Sequence, residues 1–265
     1  MLHPNELQEP RARRKRRRHK PLRRPSIRSF VPNILTLSGM CCGISGVHMA
    51  FIGNMTAAIV SILLAAFFDG IDGRTARKLG VSSRFGAELD SLSDSATFGI
   101  SPAIIAYMHS LNLLGNLGWA VSLLFAMCMA LRLARFNTRS IERSDPVWMD
   151  GFGTGVPAPA GAYLLLLPIM AHQGFGLSFP AWAYGLWTIA VSCLVVSRIP
   201  TFLPGHKERA ISNKHTMSVL LGGVIYLGFA YSFPWLVVLL TGGAYLASIP
   251  FSASRAYKRK ASIVN

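Results

Sequence analysis

Charged residues are scarce in this sequence, and acidic residues are the scarcest. Charged side chains make up 14% of the 265 residues, whereas a soluble globular domain has roughly 25%. Hydrophobic residues account for 51% of the chain. This composition argues against a soluble protein and predicts one that crosses a membrane several times.

Cysteine is also rare, with four in the chain: Cys41, Cys42, Cys128 and Cys193. All four lie in apolar stretches and have no metal-binding spacing, so we expect them to act as small packed side chains. A secretory signal is not evident either. The apolar run that follows the basic N-terminal residues lacks a convincing small-residue cleavage site.

The N-terminal segment, residues 1–29, has no acidic residue between Arg11 and Arg28 but eleven basic ones. Like charges at this density repel each other, which favours a solvated, unfolded tail. The second interpretation is a polybasic patch on anionic lipid, worth about 1 kcal/mol per basic residue near the surface. Nucleic-acid binding is not expected, because no aromatic side chains are interleaved with the charges.

Eight apolar segments follow, most of them close to the ~20 residues that a helix needs to cross a bilayer. Their approximate bounds are 31–53, 56–79, 87–109, 115–136, 155–172, 180–198, 216–232 and 234–252. Only a short turn separates the last two, so they can form a hairpin. The pattern predicts an all-α, polytopic membrane helix bundle with about eight transmembrane helices.

Basic residues are confined to alternate connections between these segments. The connections without Lys or Arg are 53–55, 110–115, 172–180 and 231–234. All 27 basic residues lie in the other connections, at the adjoining helix ends or at the two chain ends. By the positive-inside rule, both termini are cytoplasmic. The same distribution accounts for the formal net charge of +16 without a nucleic-acid partner.

Four aspartates stand beside apolar segments at the cytoplasmic face: Asp69, Asp72, Asp90 and Asp94. The first two are i, i+3 on one predicted helix and the last two are i, i+4 on the next, so both pairs can point at one spot. Four carboxylates in a partly dry site repel unless cations neutralise them. Oxygen ligands favour Mg²⁺ or Mn²⁺, and two ions here would resemble a two-metal site for phosphoryl-type displacement.

The residues around the acids suit a phosphate-containing ligand. Three small side chains leave room against the backbone: Gly73, Ala76 and Gly86. Arg77 is suited to a phosphate group, and Ser82 and Ser83 in the connecting loop can donate hydrogen bonds to it.

Two other interpretations of the acids are a structural ion-pair network and a cation or proton pathway in a transporter. Four acids at helical spacing, with small residues interleaved, argue against the first. The second is disfavoured because no later apolar segment contains an acid.

The pattern Asp69-x2-Asp72-Gly73-x2-Ala76-Arg77-x8-Gly86-x3-Asp90-x3-Asp94 resembles the signature of the CDP-alcohol phosphotransferase family at every position. The resemblance implies an integral membrane enzyme with a six-helix core, usually homodimeric. Such enzymes use divalent metal to transfer a phosphatidyl-type group from a CDP-linked lipid to an alcohol, releasing CMP. Carried over by position, all four aspartates bind metal and Asp94 is also the catalytic base. Gly73, Ala76, Arg77 and Gly86 frame the CDP moiety.

Further stretches are similar to the phosphatidylserine synthase branch of this family: Asp90–Asp94 with Phe98–Ala103, Leu131–Asn137 and Gly155–Ala160. The stretch Pro32–Thr36 is shared more broadly, which implies nucleotide contacts for Asn33 and Thr36. The implied reaction transfers a phosphatidyl group from CDP-diacylglycerol to L-serine. Glycerol phosphate, inositol phosphate or choline are the alternative acceptors, and a cation-coupled membrane transporter is the alternative outside the family.

Three residues near the end of the fourth apolar segment are candidates for binding serine. Arg132 and Arg135 are i, i+3, and two arginines beside an acidic site suit a carboxylate. Asn137 follows them. The other interpretation of the arginines is that they anchor a helix end at the membrane interface.

The expected organisation has four parts: a basic N-terminal segment (1–29), a catalytic membrane domain (30–215), a transmembrane hairpin (216–253) and a basic cytoplasmic tail (254–265). We expect the protein in the inner membrane of a bacterium, with its active site at the cytoplasmic face and within reach of soluble serine. Its expected partners are CDP-diacylglycerol, L-serine, membrane lipids and a second copy of the chain.

Overall fold

The structure is a computed structural model that describes residues 30–81, 83–142, 152–202 and 213–264. The predictions for residues 1–29 and for Ser82 lie outside the described residues. The α-helices are α1 (Phe30–Phe51), α2 (Met55–Leu79), α3 (Arg84–Asp94), α4 (Ser101–His109), α5 (Asn116–Glu142), α6 (Ala158–Phe175), α7 (Ala181–Val196), α8 (Asn213–Ser232) and α9 (Pro234–Val264). The predicted predominance of helix is therefore confirmed.

A π-helical turn, Ser95–Ile100, joins α3 and α4 into one unbroken helical run. Each of the eight predicted apolar segments thus corresponds to one helical run. A short 3₁₀ helix, Leu111–Leu114, follows α4. The sequence pattern did not predict the π turn, whose single-turn form is common at functional sites.

Among the described residues, four helical stretches are long and apolar enough to cross a membrane: Phe30–Phe51, Met55–Leu79, Asn116–Thr138 and Pro234–Ala256. Shorter apolar helices are Ala181–Val196 and Leu221–Ser232. Large apolar side chains also face outward, among them Leu64 on α2, Leu131 on α5 and Leu240 on α9. Such an exterior suits acyl chains rather than water, as expected of an integral membrane protein.

Small residues let α1 pack closely against its neighbours. A Cβ on Gly46 would lie 3.1 Å from the Ala58 carbonyl oxygen of α2. A Cβ on Gly43 would lie 2.7 Å from Thr97 Cγ2 in the π turn. Helix α1 therefore touches both the helix and the helical run that carry the acidic residues.

The core lies where the π turn, α5 and α6 meet. Its largest fully buried side chains include Phe98, Phe125, Met129, Leu164 and Ile169. This packing fixes α5 against the helical run that carries the second pair of aspartates.

A small antiparallel ribbon, which the all-α prediction did not include, joins two connections of the bundle. Its strands are β1 (Phe152–Thr154) and β2 (Pro200–Phe202). Beside it, Thr201 Oγ1 donates to the Gly155 carbonyl at 2.7 Å. Ser252 Oγ of α9 donates to the Pro200 carbonyl at 2.8 Å. Helix α9 is thereby bonded to the ribbon as well as packed on α6.

Candidate active site

A tight turn brings the ends of α2 and α3 together. Gly80 ends α2 in the left-handed conformation (φ +62°), which glycine adopts without a Cβ clash. Its N–H donates to the Arg77 carbonyl at 3.2 Å. Ser83 then caps α3, because its Oγ accepts the Gly86 N–H at 3.0 Å. The acids late in α2 can therefore face those in α3.

Three of the predicted metal ligands converge at this junction. Asp69, Asp72 and Asp90 each offer a carboxylate oxygen, and these oxygens lie within 4.8 Å of one another. Asp72 is buried and the other two are partly buried. Clustered oxygen donors with this much negative charge, away from bulk water, match the chemistry of a hard divalent cation. The site therefore fits a metal of the class that the sequence predicts.

Asp94, the fourth predicted ligand, lies one helical turn beyond Asp90 and lines the same cavity. Its carboxyl group contacts that of Asp69. It also lies within electrostatic range of the Arg132 guanidinium from α5. Arg132 interacts with Asp69 as well, so the guanidinium lies close to the Asp69–Asp94 pair.

The cavity between these residues is small, with a volume of about 10 Å³. It is lined by Thr36, Gly39, Ala65, Asp69, Asp72, Asp90, Ser93, Asp94, Thr97 and Phe98. Its walls come from α1, α2 and the helical run from α3 into the π turn. Polar oxygens line one part and apolar groups close the rest, so ions held here would be partly shielded from solvent.

Helix α1 forms hydrogen bonds with both helices that carry the acids. Thr36 Oγ1 donates to Asp72 Oδ2 at 2.6 Å, and Ser93 Oγ of α3 donates to the Thr36 carbonyl at 3.2 Å. One residue of α1 therefore connects both acid-bearing helices. Its predicted contact with the nucleotide stays a prediction.

Three of the predicted CDP-binding residues meet at the start of α3. A Cβ on Gly86 would lie 3.2 Å from both Asn33 Oδ1 and Ser83 Oγ. Any larger residue than glycine would push these two polar groups apart. The structure thus places Asn33, Ser83 and Gly86 in one group, although their contact with CDP stays a prediction.

The other predicted CDP-binding residues lie on the last turns of α2. Arg77 Nη1 is 3.6 Å from the position of a Cβ on Gly73, so the guanidinium lies over this glycine. Arg77 is exposed and Ala76 is partly buried. This arrangement leaves an exposed cation over Gly73, the residue that follows Asp72.

The predicted serine-binding residues occupy different surroundings. Arg132 faces the acids, as described above. Arg135 donates to the carbonyls of Val196 (2.9 Å) and Ser197 (3.2 Å) at the end of α7. Asn137 Nδ2 donates to Ser91 Oγ at 2.6 Å. Both contacts hold α5 in place, and the direct binding of serine by Arg135 and Asn137 stays a prediction.

Sequence reasoning did not select Ser93 and Thr97, which line the cavity. A signal was present, because residues 90, 93, 94 and 97 follow the i, i+3, i+4, i+7 spacing of one helical face. From Asp90 onward the motif marks only the two carboxylates, so the hydroxyl groups between and beyond them were not selected.

The family model for CDP-alcohol phosphatidyltransferase matches residues 29–196. A CDP-diacylglycerol–serine O-phosphatidyltransferase of Mycobacterium tuberculosis is 35% identical over 227 residues, which cover 84% of this chain and 78% of that protein. The enzyme of the same name from Bacillus subtilis is 32% identical over 186 residues, covering 70% of this chain and 96% of that protein. A Helicobacter pylori enzyme of that name is 38% identical over 144 residues, which cover 54% of this chain and 59% of that protein.

The matched region contains the whole acidic motif, the turn that joins its helices and α5 with Arg132. The match covers well over half of the chain, and the relatives extend it further toward the C-terminus. On these grounds the chain belongs to the CDP-alcohol phosphatidyltransferase family.

Proposed function

We propose that this protein transfers the phosphatidyl group of CDP-diacylglycerol to the hydroxyl of L-serine, giving phosphatidylserine and CMP. The observation that carries the proposal is the convergence of Asp69, Asp72 and Asp90 within 4.8 Å, with Asp94 in the same cavity. The serine-specific part is supported by the names of the relatives and by the placement of Arg132 near Asp94.

The four aspartates are the residues that would hold the metal. A divalent ion bound there, Mg²⁺ or Mn²⁺, supplies positive charge to the diphosphate and to the departing CMP. The presence of two ions is part of the proposal. The exposed Arg77 adds a cation for a phosphate oxygen, while Asn33, Ser83 and Gly86 shape the wall against which CDP lies.

Asp94 is the proposed base. Its carboxylate accepts the proton of the serine hydroxyl, the serine oxygen forms a bond to the β-phosphorus, and the bond from that phosphorus to the oxygen of CMP breaks. The contact between Asp94 and Asp69 holds the base next to the cluster. Holding nucleophile, base and diphosphate together lowers the entropic part of the barrier.

Serine is oriented by its carboxylate. Arg132 is the closest match to that role, because it faces Asp94 from α5. We assign Arg135 and Asn137 a part in the same subsite, although each also bonds α5 to a neighbouring helix. Phosphorylated acceptors would require more cationic groups than these.

The proposal includes the membrane arrangement. The chain crosses the inner membrane of a bacterium eight times, with both termini and the active site on the cytoplasmic side, and works as a homodimer surrounded by membrane lipid. The positions of its basic residues support this orientation. Residues 30–215 form the catalytic domain, 216–253 the added hairpin, and the basic ends at 1–29 and 254–265 lie in the cytoplasm.

Purified protein in detergent, supplied with CDP-diacylglycerol, Mn²⁺ and radiolabelled L-serine, should place label in lipid and release CMP. Asp94→Asn should lower turnover at least about 100-fold, the lower end of general-base contributions. Glu88→Gln is the matched control, because Glu88 is an exposed carboxylate on the same helix and its loss should leave turnover unchanged.

The outcomes separate the alternatives. Preference for glycerol phosphate, inositol phosphate or choline over serine in competition would keep the reaction and change the acceptor. Ion-dependent flux in proteoliposomes without CMP release would instead indicate a transporter. Near-normal turnover of Asp94→Asn would remove the proposed base.

A further inference from the structure

Three buried side-chain polar atoms in the described part of the chain have no hydrogen-bond partner: Thr97 Oγ1, Arg132 Nε and Tyr245 Oη. An unpaired buried polar group is costly, so such groups call for a ligand or a bound water. Two of them, Arg132 and Tyr245, interact with each other beside the acidic site. Thr97 lines the acidic cavity, while Arg132 interacts electrostatically with both Asp94 and Tyr245.

Tyr245 comes from α9, outside residues 29–196 that the family model matches. Its side chain lies on the inward face of α9 with Ile249, Ser252 and Ala256, at i, i+4, i+7 and i+11. The last three are buried, and Ser252 bonds α9 to the ribbon through the Pro200 carbonyl. The packing of this face therefore holds Tyr245 in position.

The chemistry of the two unpaired groups, Arg132 Nε and Tyr245 Oη, favours an anionic oxygen as their ligand. The Arg132 Nε–H can only donate, and the Tyr245 hydroxyl has a proton that it can donate to the same anion. The carboxylates on the other side of Asp94 are the groups that hold metal. In serine, Cα and Cβ alone separate the hydroxyl from the carboxylate, so a serine whose hydroxyl is at Asp94 can present its carboxylate to Arg132 and Tyr245.

We propose that Tyr245 completes the acceptor site: its hydroxyl donates a hydrogen bond to the carboxylate of bound serine, alongside Arg132. The inference rests on the proposed serine transfer and adds to it a specificity residue from the C-terminal hairpin. It also gives the hairpin a function in catalysis by this chain. Tyr245 binds substrate and takes no part in proton transfer.

Tyr245→Phe tests this with the full-length enzyme in detergent, because it removes only the hydroxyl. We expect the KM for serine to rise about tenfold, the effect of one hydrogen bond to a charged group. The KM for CDP-diacylglycerol should stay unchanged and kcat should change little. The melting temperature should not fall, since the hydroxyl removed has no partner in the described structure.

Tyr163→Phe is the matched control. The Tyr163 hydroxyl, in contrast, has partners on α9: it donates to the Val238 carbonyl and pairs with Thr241 Oγ1 at 2.6 Å. Its loss should lower the melting temperature and leave the KM for serine unchanged. The two variants thus separate a ligand contact from a structural one.

L-Serinamide provides the test on the substrate side, because it retains the hydroxyl and lacks the carboxylate. The wild-type preference for serine over serinamide should shrink about tenfold in Tyr245→Phe. Three outcomes would overturn the inference and leave serine transfer intact. In Tyr245→Phe, the KM for serine could stay unchanged, or the KM for CDP-diacylglycerol could rise instead. In Tyr163→Phe, the KM for serine could rise by the same factor. Absence of phosphatidylserine from the wild-type reaction would overturn the proposed function and this inference together.

Discussion

Thr36 shows how a single hydroxyl organises the acidic site. It lies on α1, distant in sequence from the motif, and its Oγ1 donates to Asp72 Oδ2 at 2.6 Å. Asp72 is buried, so this bond replaces a water that the carboxylate would otherwise bind. Partners behind metal ligands orient the ligand oxygens and thereby set the affinity for the ion.

Thr36→Val keeps the shape of the side chain and removes this donor. We expect the Mn²⁺ concentration for half-maximal activity to rise at least about tenfold, because removing a residue that hydrogen-bonds to a metal ligand typically weakens metal binding by that factor. The measurement is a Mn²⁺ titration of phosphatidylserine synthesis. Mn²⁺-dependent thermal stabilisation of the purified protein gives a second readout that does not depend on turnover.

Ser38→Ala is the control for that experiment. Ser38 lies on the same helix and its Oγ donates to the Ile34 carbonyl at 2.8 Å, away from the acids. Its removal should leave the titration unchanged. An unaltered Mn²⁺ response of Thr36→Val would mean that the bond to Asp72 does not govern metal affinity.

The sequence predicted the identity of the acids better than their surroundings. Helical spacing alone put Asp69 and Asp72 on one face, because i, i+3 contacts are local. The bond from Thr36 to Asp72 spans 36 positions, and the approach of Tyr245 to Arg132 spans more of the chain. Contacts between helices depend on how the helices pack, which the spacing within one helix does not determine.

Among the helices, α1 makes a tight contact with the π turn near the site. A Cβ on Gly43 would lie 2.7 Å from Thr97 Cγ2 and 3.0 Å from the Thr97 Cα. The second of these atoms belongs to the backbone, which cannot move as a side-chain rotamer does. The π turn directly follows Asp94, so a shift here displaces the proposed base.

Gly43→Ala should therefore destabilise the protein and slow the reaction. Forcing a methyl group into a packed contact costs about 1–3 kcal/mol, which should appear as a lower melting temperature in detergent. The kcat for phosphatidylserine synthesis should fall as well, since the π turn is continuous with the helix that carries Asp94.

Gly222→Ala on α8 gives the comparison. Nothing lies within 4 Å of a Cβ at that position, and alanine favours helix over glycine by about 1 kcal/mol. This variant should match or exceed the wild type in melting temperature and match it in kcat. If Gly43→Ala behaves like Gly222→Ala, the contact between α1 and the π turn is not tight.

Helices were the easiest elements to predict, because each apolar segment is long and bounded by polar residues. The π turn was not predicted, since its sequence, Ser95–Ile100, carries no distinctive spacing. The β1–β2 ribbon was also missed. Its two strands have three residues each and are joined by contacts between distant connections, which no local pattern indicates.

At the scale of the whole molecule, the distribution of charge and the position of the site agree. The turn between α2 and α3, which brings the acids together, is next to Arg77 and Lys78 at the end of α2. The connection at the other end of the α3–α4 run, around Leu111–Leu114, has no basic residue. Since basic connections stay in the cytoplasm, the acidic site should open toward soluble serine.

Single cysteines can test this orientation once the four native cysteines have been replaced. Lys78 and Asn112 are both exposed and lie at opposite ends of the helical bundle in the proposed topology. In intact spheroplasts, a membrane-impermeant maleimide should label Asn112→Cys and leave Lys78→Cys unlabelled. After the membrane is permeabilised, both should react. Labelling of Lys78→Cys alone in intact spheroplasts would invert the proposed topology, and the acidic site would then face away from the cytoplasmic pool of serine.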